Sequence, residues 1–243
     1  MTLRYSMRER LPFLGAFLHL RGEALRCRGC LGELLEASEA GLCARCWSGL
    51  IPLPADRCER CALIHGSDRE CPEPVAWTHG DALWDYHGGR PALGAMLMPG
   101  IKAGEWGWRA ALLGRVETAP LPEFTSEVDL ITTVPAHPWR RWGRGFDLAE
   151  DMARLVAKRV GKPYAPVLRK PMNSQRQTGL PEGKRRRLPQ KAFALRNDMN
   201  LDGKTILLVD DVWTTGTTLL RCAQWLMKAG ATEIRVLTLF RAL

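Results

Sequence analysis

The sequence predicts an α/β fold, a mostly parallel sheet flanked by helices, preceded by a small cysteine-rich module. Three observations carry this. Beyond residue 75, short apolar strands alternate with helical stretches, the order that builds a parallel sheet. Seven of the eight cysteines lie between Cys27 and Cys71, leaving only Cys222 outside. The composition, 46% hydrophobic and 25% charged over 243 residues, is that of a globular chain with room for one ordinary domain and a small companion.

Residues 1–26 read as a short helical lead-in. The start is basic with a short apolar stretch, but Leu11–Leu20 is interrupted by Pro12 and His19, and no cleavage site follows. No apolar run reaches the roughly 18–20 residues of a membrane helix. A cytoplasmic protein is expected. Residues 27–75 are rich in Cys, Gly and Pro and lack apolar periodicity. They cannot build a core from apolar side chains, so a metal is the natural staple. Pro72 and Pro74 mark the boundary, and residues 76–243 form the α/β domain.

Within that domain Ala82–Tyr86 reads as a strand, and Leu93–Lys102 and Trp108–Val116 as helices. Val128–Thr133 is a buried strand ended by Pro135. Phe146–Val160 repeats Leu148, Met152, Leu155 and Val156 at helical spacing, and Gly161 stops it. Leu168–Phe193 is polar, basic and broken by Pro171, Pro181 and Pro189, so a mobile loop is expected. Lys204–Val209 is a second buried strand, Thr217–Ala229 a helix ended by Gly230, and Glu233–Phe240 a last strand. Cys222, alone in an apolar helix, reads as a core residue.

The cysteines fall in knuckles: Cys27-x2-Cys30, Cys43-x2-Cys46 and Cys58-x2-Cys61. Two thiolates two residues apart share one ion, and two such pairs complete a tetrahedron. Cys27, Cys30, Cys43 and Cys46 therefore make a four-thiolate zinc site. Cys58, Cys61 and Cys71 lack a fourth cysteine, since position 74 is Pro. His65 is the nearest candidate to complete a second site; loss of the second metal is the alternative. Four protein ligands leave no open position, so neither site is expected to be catalytic.

The segment Ile206–Thr218 carries the chemistry. A hydrophobic strand runs into Asp210 and Asp211, then Thr214, Thr215, Gly216, Thr217 and Thr218 open a helix. A helix N-terminus offers free N–H groups and a positive dipole end to a phosphate. Threonine hydroxyls add donors, and Gly216 lets the backbone approach the anion. Like charges bar the two aspartates from the phosphate; they suit ribose hydroxyls or a magnesium ion. A simple helix with Thr at its cap needs no Asp-Asp pair. The segment is not a Walker A loop, because no Gly-Lys-Ser/Thr follows, and the spaced glycines of a dinucleotide fingerprint are absent.

Charge is concentrated beside it. Val134–Arg196 holds 16 Lys and Arg against 4 Asp and Glu, a net of +12, while the rest of the chain nets −3. A basic run is often only a solvated face. This one flanks a strand end, a place to attract PRPP (5-phosphoribosyl-1-pyrophosphate), pyrophosphate or nucleic acid. Trp139 and Trp142 among the arginines suit either base stacking or helix packing.

The Asp-Asp-Val-Trp-Thr-Thr-Gly-Thr-Thr segment resembles the PRPP motif of type I phosphoribosyltransferases. Val134-Pro135 through Arg144-Gly145-Phe146, then Gln177, Leu180, Arg187 and Ala192-Phe193, resemble the ComF/GntX family's pyrophosphate and flexible loops. The likeness runs in order from about Cys27 to Leu243. It departs at Asp147-Leu148, for Asn-Gln, at Leu188, for Asn, and at the bulky Trp213. The resemblance implies PRPP binding through Asp210, Asp211 and Thr214–Thr218, with magnesium. It implies contacts to pyrophosphate or nucleic acid from His137, Arg140, Arg144, Lys102, Gln177 and Arg187. It implies zinc, single-stranded DNA, a partner in DNA-uptake machinery and a role in competence. The alternatives are a nucleotide-metabolism phosphoribosyltransferase and a nucleic-acid-binding adaptor with a vestigial site. No general base is assigned: Thr214 stands where purine-salvage relatives carry an Asp.

Overall fold

The structure, a computed structural model, describes residues 26–34, 39–66, 70–72, 75–137, 143, 145–171, 193–196 and 199–242. The expected lead-in falls outside them except for Arg26, as does most of the Leu168–Phe193 loop. Among its described residues the cysteine-rich stretch contains one short helix, α1 (Ala44–Trp47). The strand β1 (His79–Asp85) follows, then α2 (Leu93–Ala103), α3 (Trp106–Thr118) and β2 (Leu130–Thr133). The chain continues through α4 (Leu148–Val160), the two-residue strands β3 (Leu168–Arg169) and β4 (Ala194–Leu195), β5 (Thr205–Trp213), α5 (Thr217–Lys228) and β6 (Glu233–Arg241).

The main sheet has the order β1-β6-β5-β2, and every pair is parallel. A parallel sheet is covered on both faces, so its strands read as continuous apolar runs. Alternation along the strands sorts them. Leu207, Val209, Leu237 and Leu239 enter a core with apolar residues of α2, α3 and α4; Ile206, Leu208, Ile234 and Val236 enter a second core with α5. Cys222 is fully buried in the α5 core, as expected of a packing residue. The cysteine-rich stretch shares both cores: Cys27, Leu42, Cys46 and Trp47 join the first, Leu53, Cys61 and Ala62 the second.

Several boundaries differ from the sequence reading. The first strand starts at His79 and ends at Asp85. Phe146 precedes its helix, because Asp147 takes the N-cap and its side chain accepts from the Glu150 N–H. This gives the Asp at that departure from the family pattern a local role. The strand expected to end at Val209 continues through Asp210 and Asp211 to Trp213, held by pairing with β6 out to Arg241. The basic loop leaves and returns through the antiparallel pair β3 and β4, so Leu168 and Arg169 are strand rather than loop.

Candidate functional site

Both aspartates sit on β5 rather than in a turn, so alternation sends their side chains to opposite faces. Asp211 shares the phase of Leu207 and Val209, and its Oδ2 lies 3.1 Å from Nζ of Lys102 in the last turn of α2. Lys102, singled out by resemblance alone, thus meets the Asp pair. Asp210 accepts from the Asp211 N–H at 2.8 Å. Desolvation first, and the charge of Asp211 second, push the Asp210 carboxyl well above the usual carboxylate range; the Asp211 N–H and Lys102 oppose this.

Beyond Trp213 the chain turns through the exposed Thr214 and Thr215 into α5. The N-cap is Gly216, in the left-handed region at φ 68°, and no side chain caps the helix. A simple helix capped by Thr is therefore not what forms here. Thr215 and Thr217 hydroxyls lie 3.0 Å apart. Residues Asp210 and Val212–Leu219 line a cavity of about 30 Å³. Among the described residues the indole Nε1 of Trp213, a residue only 1% exposed, has no hydrogen-bond partner. It lies 2.9 Å from where a Cβ on Gly216 would stand. Buried donors are rarely left unpaired, so a lone N–H beside an uncapped helix N-terminus fits an oxyanion ligand.

β2 and β5 are parallel neighbours, and the Val134 N–H donates to the Val209 carbonyl at 2.9 Å just past β2. The loops that follow both strands therefore leave by one sheet edge, where α/β proteins bind ligands. His137 is half-buried on the first of them. Arg140, Arg144, Trp139, Trp142, Gln177 and Arg187 lie outside the described residues.

The cysteines form two clusters whose ligand atoms lie within 4.8 Å of one another: Cys27, Cys30, Cys43 and Cys46, and Cys58, Cys61, His65 and Cys71. Sulfur separations are 3.6 Å for Cys27–Cys46, 3.8 Å for Cys30–Cys43 and 3.8 Å for Cys58–Cys71. A tetrahedron of ~2.3 Å metal–sulfur bonds has edges of about 3.8 Å, so the donors fit a zinc-sized ion. His65 completes the second set, with Nε2 3.1 Å from the Cys61 sulfur and Nδ1 3.0 Å from the Gly66 carbonyl. That outer contact fixes the ring as metal-bound histidines require. Burial opposes ionisation of Cys27 and Cys58, but backbone N–H donors outweigh it and lower these thiols to about 6 and about 7. Burial raises Cys46, Cys61 and Cys71, Cys61 to about 12.

Sequence reading missed two residues beside the loop. Arg241 is fully buried, and its guanidinium covers the Trp213 ring at 4.6 Å. Trp77 meets Trp213 edge-on, with centroids 5.3 Å apart. Neither carries a local signal; only the bulk of Trp213 drew notice.

Residues 143–243 match the family model for the phosphoribosyl transferase domain. With the parallel sheet and the β5–α5 loop, this defines a phosphoribosyltransferase-type domain. The chain is 32% identical to competence protein F of Haemophilus influenzae over 47% of its own length and 51% of that protein. It is 31% identical to the DNA utilization protein YhgH of Salmonella typhi, over 54% of this chain and 56% of that one. The chain spans about half the length of the curated relatives it matches. These matches make the chain similar to competence and DNA utilization proteins over about half of its length. Among solved structures, a glutamine PRPP amidotransferase from B. subtilis aligns at 24% identity and TM-score 0.36, over 57% of this chain and 26% of that one. At that level the likeness adds nothing to the domain match.

Proposed function

We propose that this protein is a ComF-type, phosphoribosyltransferase-like protein that binds PRPP and single-stranded DNA and acts in DNA uptake or DNA utilisation. The observation that carries it is the β5–α5 loop: two aspartates at a strand end, Lys102 on Asp211, and an uncapped helix N-terminus with a glycine at its cap. The named relatives, a competence protein and a DNA utilization protein, support the DNA side of the reading. In this reading residues 27–75 are a zinc-binding module and 76–243 the phosphoribosyltransferase-like domain, after a lead-in at 1–26.

The 5-phosphate of PRPP sits on the first-turn amides and hydroxyls of Thr214–Thr218. Asp210 and Asp211 take the ribose hydroxyls or a magnesium ion, with Lys102 holding Asp211 in place. The loop after β2, with His137, Arg140 and Arg144, receives the pyrophosphate and stabilises it as a leaving group. The loop carrying Gln177 and Arg187 closes over the ligand. Zinc supplies structure, since both clusters offer four protein ligands.

Calorimetry with PRPP and magnesium tests the first half. Wild type binds, and Asp210→Asn combined with Asp211→Asn weakens binding by at least about tenfold, the loss of roughly 1.4 kcal/mol of charged hydrogen bonding. Equal affinity for both proteins would sink the assignment. For the second half, oligo-dT binding is measured between 50 and 200 mM salt, conditions over which several phosphate contacts cost orders of magnitude. Affinity falls steeply with salt and again on charge reversal of Arg140 and Arg144. A salt-independent constant counts against DNA binding.

A further inference from the structure

The second cysteine cluster is joined to the phosphate loop by side chains the proposed chemistry does not use. The Cys58–Cys61 knuckle turns its amides inward: the Arg60 N–H approaches the Cys58 sulfur at 3.4 Å, and the Ala62 N–H donates to the Cys58 carbonyl at 2.9 Å. Its next three carbonyls therefore face out, and each meets a donor from the sheet domain. Gly80 N–H takes Glu59 at 2.8 Å, Trp77 Nε1 takes Arg60 at 2.6 Å, and Arg241 Nε takes Cys61 at 3.2 Å.

Two of these donors also hold the loop. Arg241 is the register partner of Trp213 across β5 and β6. Its Nη1 donates to the Trp213 and Ala242 carbonyls, each at 3.1 Å, and to the Thr214 carbonyl. One guanidinium therefore spans a metal ligand's carbonyl and the first residue of the phosphate loop. Trp77 packs on Trp213 and lies 3.6 Å from the Cβ position of Gly216. The first cluster lies elsewhere: its neighbours reach α3, through Arg28 on Glu105 at 2.9 Å and the Ala40 carbonyl on Trp108 Nε1 at 3.0 Å.

We propose that Arg241 is a positioning residue that carries the state of the second cluster to the phosphate loop, so that metal at Cys58, Cys61, His65 and Cys71 sets how firmly ribose phosphates bind at Thr214–Thr218. The proposal rests on reading that loop as a ribose-phosphate site. With metal bound, the knuckle presents the Cys61 carbonyl at a fixed point, and Arg241 is drawn to one geometry over Trp213 and Thr214. Without metal, the four side chains lose their common centre, the knuckle loosens, and Arg241 keeps its loop carbonyls but loses the Cys61 carbonyl that ties it to the cluster. The loop then pays an ordering cost on binding.

The test uses the full chain in four forms: wild type, His65→Ala, Arg241→Met and the double variant. Each is measured three ways: zinc content, hydrogen exchange of the Trp213–Thr218 amides, and PRPP affinity with magnesium. The expected result is that His65→Ala loses one zinc and that exchange at Trp213–Thr218 quickens while Leu130–Thr133 in β2 stays protected. PRPP binding weakens about tenfold, the scale of losing one orienting charged hydrogen bond. Arg241→Met keeps both zincs and loosens the loop at least as much, since it also removes the bonds to the loop carbonyls, and the double variant is no worse than Arg241→Met alone, because His65→Ala acts through the same link. If Arg241→Met does not fold, Arg241→Lys replaces it, keeping the charge but unable to span both carbonyls. Unchanged exchange at Trp213–Thr218 after loss of the second zinc overturns the coupling, as do additive effects in the double variant. Failure of wild type to bind PRPP, with exchange still coupled to zinc, overturns the ribose-phosphate reading and leaves the link standing.

Discussion

Replacing Gly216 by alanine separates the backbone cost of the phosphate loop from its steric cost. Gly216 and Gly161 share the same left-handed angle, φ 68°. Alanine in that region costs about 1 kcal/mol at either position. Their surroundings differ. A Cβ on Gly161 meets nothing within 4 Å, whereas one on Gly216 stands 2.9 Å from Trp213 Nε1. The indole cannot move aside: it is 1% exposed, covered by Arg241 at 4.6 Å and met by Trp77 at 5.3 Å. Forcing a methyl into such a fixed contact costs roughly 1–3 kcal/mol more. Gly161→Ala is thus expected to lose about 1 kcal/mol, and Gly216→Ala about 2–4 kcal/mol, in urea unfolding with an unchanged slope. The same methyl closes the cavity against the lone indole N–H, so Gly216→Ala also abolishes PRPP binding, which Gly161→Ala leaves alone. If Gly216→Ala unfolds no more easily than Gly161→Ala, the packing described around Trp213 is wrong.

Metal and pH give two further expectations. Thiol modification of the full chain is expected to release two zinc ions, read with a colorimetric chelator; a single equivalent would mean that His65 does not complete the second site. Glu233 accepts from Arg235 Nε at 2.8 Å and Thr78 Oγ1 at 2.5 Å, and these bonds hold its carboxyl below the usual range, Arg235 first. A depressed carboxyl stabilises the fold above its unfolded pKa, and that contribution disappears as pH falls through the folded value. Glu233→Gln should therefore cost about 1 kcal/mol at pH 7, with the gap to wild type closing below about pH 4. A gap that stays constant down to pH 3 refutes the assignment.

Much of the sheet was legible because a parallel strand buried on both faces leaves an apolar run, uninterrupted in Ile206–Val209 and broken in Ile234–Leu239 only by Arg235 and Thr238. Helix faces were legible from spacing, and the knuckles from cysteine pairs. Strand ends were not. Asp210 and Asp211 have low strand propensity, yet β6 runs alongside to Arg241 and carries the pairing to Trp213. Resemblance singled out Lys102 as a contact to pyrophosphate or nucleic acid, but its meeting with Asp211 was not indicated, since no local pattern links a helix end to a distant strand. Arg241 was illegible for the same reason: an arginine closing a strand reads as a surface charge until Cys61, 180 residues earlier, arrives to accept its Nε.

The cysteine-rich module also answers a problem the sheet order creates. Among the described residues β1 is an edge strand, with one side free of a neighbouring strand in the order β1-β6-β5-β2. An exposed edge offers unpaired N–H groups to other chains. Here the Gly80 N–H donates to Glu59 and the Asp85 N–H to Ile51, each at 2.8 Å, so residues 51–59 lie along that edge. Gly80 is needed for the approach, since a Cβ there would stand 2.6 Å from the Arg60 carbonyl. The salt bridge from Arg57 to Asp81, at 2.5 Å, closes the middle of the contact. The knuckle suits this task because its amides turn inward while its carbonyls turn outward. The knuckle that gives the Glu59 carbonyl to β1 gives its next two, Arg60 and Cys61, to Trp77 and Arg241. Covering the edge and bracing the Trp213–Thr214 turn are therefore consequences of one local geometry, so disrupting the Cys58–Cys71 cluster is expected to be felt at both.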